Sequence, residues 1–225
     1  MIYTKTYNAP MIDYKEILRF SGVRGDAPEL EQMLQNCIDE LKGKLVYKIC
    51  YREFPVIYQG GRLNLGFAET KSEALKKNLS GCDKLILFAA TVGIELDRLI
   101  SRYGAVSASK AFLFQAIGAE RIESLCDVFN REIAEQNAAK GFAVRPRFSP
   151  GYGDFPLEMQ KEIFSVLDCP RKIGLSLNES LLMSPSKSVT AIVGIASKKC
   201  AAEEASGCRN CAKQDCAYRS IEKTK

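Results

Sequence analysis

Four cysteines, Cys200, Cys208, Cys211 and Cys216, fall within 17 residues near the C-terminus, separated by seven, two and four residues. A Cys-x2-Cys knuckle presents two thiolates to one metal centre from a tight turn, and the outer cysteines can close a four-sulfur shell. Gly207 gives the backbone freedom beside the knuckle. From Lys198 to Lys225 the chain is small, charged and too poor in apolar residues to fold around a core of its own. Zinc ribbons commonly pair two knuckles and one is present here, so an iron-sulfur cluster is the expected occupant, with zinc as the alternative. A tail with free thiols is the plainer reading.

A second stretch with chemical content is "RPRFSPGYGDFPL", Arg145 to Leu157. Its bland reading is a proline-stiffened connection whose Tyr152 and Phe155 pack on the core. Arg147, however, precedes a Pro-Gly-Tyr turn by a few residues. A guanidinium, an approachable glycine backbone and an aromatic face can thus converge on one small ligand, and a guanidinium holds a carboxylate by a forked pair of hydrogen bonds.

Composition limits the chemistry further. The 225 residues contain no histidine, which removes the usual general base and any Ser-His or Cys-His pair. Catalysis would rest on other side chains or on a bound cofactor. The nine cysteines, in a chain opening "MIYTKTYNAP" without a secretory pattern, read as reduced thiols or metal ligands. A cytoplasmic protein is expected. The net charge of +5 is spread over 32 basic and 27 acidic residues, so a nucleic-acid partner is not indicated. No apolar run reaches the ~18 residues of a membrane span.

The elements that must position these residues follow from periodicity. "YKEILRF" and "APELEQMLQNCIDELKGKL" read as helices, the second with Leu30, Met33, Leu34, Cys37, Ile38 and Leu41 on one face and Pro28 at its entry. "KLVYKICYREFPVIY" reads as one or two strands, "KSEALKKNLSGC" as a short helix ended by Gly81, and "KLILFAATVG" as a buried strand. A helix at "IELDRLISRYG" and a long one from about Ser107 to Gln136 follow. After the Arg147 loop comes a short helix that Pro170 should terminate. "IGLSLNESLLMSPSKSVTAIVGIA" should be an antiparallel pair turning at "SPSKS". Cys37, Cys50, Cys82 and Cys126 sit in apolar patterns as buried hydrophobes, while Cys169 beside Pro170 is placed for exposure. Without a steady βαβ rhythm the chain is α+β, with residues 1–197 as one domain and 198–225 as the cysteine tail.

"RFSPGYG" resembles the Arg-Pro-x-Pro-Gly-Tyr-Pro signature of the activation (AdoMet-binding) domain of cobalamin-dependent methionine synthase. "IGLSLNESLLMSPSKSVTA" resembles that family's "IGMKLTESFAMWPGASVSG" segment, and the likeness runs from Ala105 to Ala196. Phe148 and Gly153 stand where the signature has its first and last prolines. The resemblance implies a bent antiparallel sheet with flanking helices and S-adenosylmethionine bound in a shallow groove. It further implies that Arg147 holds the methionine carboxylate, that Ser149, Pro150 and Gly151 contact the ligand by their backbone, and that Tyr152 lines the site. Asp13 matches the family's early acidic contact to the ligand's amino group, and Glu120 and Glu123 sit near its helical acidic position. In this family the ligand methylates cobalamin after reduction of the inactive cob(II)alamin form.

The implied function is a reactivation module, one component of a methyltransferase system serving methionine biosynthesis. It would meet cobalamin only through a partner methionine synthase or other corrinoid protein, with a possible separate electron donor. Two other functions are weighed beside it: an iron-sulfur electron carrier or reductive activator, and a zinc-stabilised interaction module.

Overall fold

The computed structural model describes residues 1–22 and 28–197. Cys200, Cys208, Cys211 and Cys216, and with them the expected metal ligands, lie outside the described residues. In chain order the elements are β1 (Tyr3–Tyr7), α1 (Tyr14–Ser21), α2 (Pro28–Leu41), β2 (Tyr47–Pro55), β3 (Ile57–Gln59), β4 (Arg62–Asn64), β5 (Glu69–Thr70), α3 (Glu73–Asn78), β6 (Cys82–Thr91), α4 (Glu95–Gly104), α5 (Ala108–Ala138) and β7 (Phe142–Val144). A single 3-10 turn, Leu157–Met159, then leads into α6 (Gln160–Leu167), α7 (Cys169–Ile173), β8 (Ser176–Leu177), β9 (Met183–Ser184) and β10 (Ser188–Ser197).

The main sheet has five strands in the order β1-β2-β6-β10-β7, antiparallel at every pairing and curled. Its strands alternate between two apolar cores because successive side chains leave opposite faces. On β6, Ile86, Phe88 and Ala90 join the core under α1, α2, α4 and α5. Leu85, Leu87 and Ala89 join the one under α3, α6 and α7. This is the α+β arrangement with flanking helices expected from the sequence. No helix among the described residues is long and apolar enough to cross a membrane.

The helix α5 sets the site. Ser107 caps its N-terminus by accepting from the Lys110 N–H, and its 31 residues give it a length of roughly 46 Å. Leu113, Phe114, Ile117, Leu125, Phe129 and Ile133 bury one stripe against the sheet, leaving another face to meet the Arg147 loop.

Four expectations change. Pro170 does not end a helix: Asp168, at φ 48°, ends α6, and Pro170 sits in the first turn of α7, where a missing N–H removes no helical bond. "SPSKS" is not the tip of a hairpin. The two-residue β8–β9 ladder turns at residues 178–182, and β10 pairs instead with β6 and β7, which take up its hydrogen-bonding edges while its two faces enter the two cores. Cys169 is fully buried rather than exposed, as are Cys37, Cys50, Cys82 and Cys126. The helix expected to run to Gly81 stops at Asn78, with Leu79 as its cap.

Candidate functional site

The strand-like run Arg145–Phe148 extends the β7–β10 ladder. The Arg145 N–H donates 2.8 Å to the Gly194 carbonyl, and Phe148 and Ile192 exchange reciprocal backbone bonds of 2.8 Å. Phe148 packs on the core under α3, α6 and α7. Side-chain alternation therefore sends Arg147 to the opposite face, toward α5.

There the Arg147 guanidinium donates through Nη1 to Asp127 Oδ1 at 2.7 Å and through Nη2 to Glu123 Oε2. Glu123 and Asp127 are four residues apart and so share a face of α5. Burial alone would lower the arginine's proton affinity; the Glu123 carboxylate, with Asp127, outweighs it and raises the pKa. Arg147 is a fixed cation with 23% of its side chain exposed, flanked by carboxylates that are 43% and 65% exposed.

Beyond Arg147 the chain turns tightly. The Tyr152 N–H donates to the Ser149 carbonyl, and the Phe155 N–H to the Tyr152 carbonyl; the Gly151 N–H donates 2.8 Å to the Phe155 carbonyl. Phe155 is buried and anchors the turn in the core. Asp154 accepts from Ser72 Oγ at 2.5 Å and from the Glu73 and Ala74 N–H groups, tying the loop to the N-terminus of α3. Pinned at both ends, the loop presents Gly151, Tyr152 and Gly153 to solvent, with the Tyr152 ring edge-on to Phe148.

Both departures from the proline-rich signature have a structural reason. Phe148 supplies the ladder N–H that a proline lacks. Gly153 adopts φ +55°, and a Cβ there would meet that of Ala74 at 2.9 Å. Proline, fixed near φ −65°, cannot take that conformation.

Asp13 meets the same face of the same helix. Its backbone N–H donates 3.1 Å to Glu120 Oε1, while its carboxylate caps α1 by accepting from the Lys15 and Glu16 N–H groups, both through Oδ1. Glu120 also accepts from Ser124 Oγ at 2.7 Å and pairs with Arg121. Arg121 in turn donates 2.6 Å to the Pro10 carbonyl and 2.8 Å to the Met11 carbonyl, strapping the segment before Asp13 onto α5. Glu120 and Glu123 are three residues apart, about 4.5 Å along the axis, so Asp13 and Arg147 approach α5 within one turn of each other. No hydrogen bond among the described residues joins those two directly.

The structure thus brings Arg147, Glu123 and the Ser149–Tyr152 turn together and places Asp13 beside them on α5. Asp127 and Arg121 were missed by sequence reading. The spacing Glu120, Glu123, Asp127 on an amphipathic helix was the available signal for Asp127. For Arg121 the signal was a charge on an otherwise apolar stripe.

An α+β domain with a curled antiparallel sheet and an arginine-bearing loop held against its longest helix is the class these features define. The chain belongs to the family described as vitamin B12 dependent methionine synthase, activation domain, whose family model matches residues 71–202. Its fold is similar to that in the crystal structure of the MetH reactivation domain bound to AdoHcy, with a TM-score of 0.66 at 16% identity, covering 86% of this chain and 78% of that one. No curated protein matches the chain in sequence.

Proposed function

We propose that this chain is an S-adenosylmethionine-binding reactivation module that supports reductive methylation of cobalamin carried by a partner methionine synthase or other corrinoid protein. The observation that carries the reading is the Arg147 guanidinium, fixed by Glu123 and Asp127 beside the Ser149–Tyr152 turn. Arg147 holds the ligand's carboxylate by charge-assisted hydrogen bonds. Asp13 Oδ2 takes the ligand's ammonium, since the helix-capping bonds both go to Oδ1. The backbone of Ser149, Pro150 and Gly151 lies against the ligand, and Tyr152 covers it.

S-adenosylmethionine supplies an electrophilic sulfonium methyl, and the partner's reduced corrinoid supplies the nucleophile. What remains for this chain is to hold the ligand, orient it and exclude water, none of which needs an acid or a base. The absence of histidine fits that role. It also favours a partner as the source of any histidine ligand to the corrinoid's cobalt. Cys200, Cys208, Cys211 and Cys216 are the proposed ligands of an iron-sulfur cluster, with zinc as the alternative; a cluster would pass the electron that reduces cob(II)alamin.

The test is an anaerobic calorimetric titration with S-adenosylmethionine, wild type beside Arg147→Ala, with iron, sulfide and zinc assayed on the same sample. Saturable binding weakened by the substitution is expected. Absence of binding in the wild type removes the reading's centre. One zinc and no iron removes the electron-transfer role of the tail.

A further inference from the structure

A cavity of about 390 Å³ opens beside the Arg121 strap, between the segment after β1 and the C-terminal end of α2, and no residue of the Arg147 loop lines it. Its deep wall is apolar: Ile38, Leu41 and Ile117 line it and are no more than 5% exposed. The Tyr7 and Tyr47 rings, paired at the end of the β1–β2 ladder, flank it. The outer wall, Ala9 to Ile12, is held by the two Arg121 bonds to the Pro10 and Met11 carbonyls. The cavity is therefore a preformed feature of the fold.

The charges around it define what it accepts. Arg121 reaches the cavity, but its donors go to Glu120, Pro10 and Met11, and Glu120 neutralises it. A charged group placed deep inside would lose its water without gaining a partner. At the mouth, Lys42 is 73% exposed and bonded to the solvated Asp39, which leaves ammonium hydrogens for another acceptor. Asn8, Ala9 and Gly43 complete an exposed rim. The volume is that of roughly a dozen water molecules, enough for a fused ring pair.

We propose that this cavity is a second ligand site, separate from the site proposed at Arg147, for a small apolar, ring-bearing molecule whose single anionic group meets Lys42 at the mouth. The apolar body is held by Ile38, Leu41, Ile117 and the tyrosine rings, and the anion stays in water beside the lysine.

Anilinonaphthalene sulfonate has this chemistry and serves as the probe. Titrated by fluorescence into the full chain, it should saturate at one site. Ala9→Trp, on the exposed rim, should fill the mouth and weaken binding by roughly tenfold or more. Lys42→Glu should weaken it by about fivefold. S-adenosylmethionine, followed by calorimetry, should bind wild type and both variants alike. Failure of the probe to saturate, or equal binding to all three proteins, overturns the proposal. So does displacement of the probe by S-adenosylmethionine, because the cavity would then be part of the first site. A chain that binds the probe in this pattern but never binds S-adenosylmethionine keeps the second site and loses the proposed function.

Discussion

Nη1 of Arg147 lies 2.7 Å from Oδ1 of Asp127, and Glu123, one turn earlier on α5, takes the other arm of the same guanidinium. Two carboxylates thus aim one cation. Arg147→Ala should weaken S-adenosylmethionine binding by one to two orders of magnitude, since a hydrogen bond to a charged group contributes roughly 1.5–3 kcal/mol. Arg147→Lys should restore little, because an ammonium lacks the planar fork. Asp127→Asn removes one well-solvated anchor and should cost no more than about fivefold. Calorimetry on the three variants checks the order. Equal effects of all three would mean that the loop, rather than its cation, binds.

The loop's shape makes a separate prediction through Gly153. At φ +55°, with Ala74 Cβ 2.9 Å from the position of an added Cβ, this residue tolerates no side chain without movement. Gly153→Ala should destabilise the fold by roughly 1–3 kcal/mol, read by urea denaturation. Gly153→Pro, which restores the proline of the signature, should do worse and weaken ligand binding as well. An unchanged midpoint in Gly153→Ala would show that the turn relaxes freely.

What the sequence made legible, and what it hid, divides along the range of the interactions. The α5 helix, the two-sided strand β6 and the α+β class are carried by local periodicity, and the structure agrees with them. The placing of Arg147 against α5 needed the ladder pairing of Phe148 with Ile192, a contact 44 residues apart in sequence (192 − 148) that no local pattern encodes. Pro170 misled because the same residue stops one helix and starts another. "SPSKS" misled because turn residues mark a change of direction without naming the strand that follows. The Asp13 carboxylate shows a further limit: it caps α1, and a cap leaves the same sequence mark as the ligand contact proposed for it.

The Glu120–Arg121 pair is the buried electrostatic element beside the site, with side chains 2% and 3% exposed. Arg121→Met leaves Glu120 charged, buried and short of a partner, and frees the Pro10 and Met11 carbonyls. A loss of about 3–5 kcal/mol is expected. The double variant Glu120→Gln with Arg121→Met should lose less than the sum of its parts. Urea denaturation of the four proteins checks the cycle. Strict additivity would mean that the two side chains stabilise the fold independently.

Thiol chemistry should separate the five described cysteines from the four that follow residue 197. The described cysteines Cys37, Cys50, Cys82, Cys126 and Cys169 are all buried. Desolvation pushes the Cys126 thiol up to about 12, and the interaction of Cys169 with the Cys50 thiol, together with burial, raises the Cys169 thiol. Neither forms thiolate at neutral pH. Alkylation of the chelator-treated, folded protein at pH 8 followed by peptide mass mapping should therefore spare these five and confine labelling to Cys200, Cys208, Cys211 and Cys216. Metal held by the tail should protect those four until a chelator removes it. Rapid labelling of Cys126 in the folded protein would contradict the burial.

Asp154 gives the fold an acid limb. Its carboxyl is held below the ordinary aspartate value of 3.8 by the Ser72 hydroxyl first and the Glu73 N–H next. A carboxyl whose folded pKa is depressed adds stability that is complete above its unfolded pKa and disappears as the pH falls through the folded value. Asp154→Asn should accordingly be less stable than wild type at neutral pH, and the gap should close below about pH 4. Urea midpoints measured from neutral to strongly acidic pH would show it. A gap of constant size would assign the loss to packing of the loop rather than to the ionised cap of α3. Because the same carboxylate anchors the Arg147 loop, ligand affinity should weaken over that same acidic range.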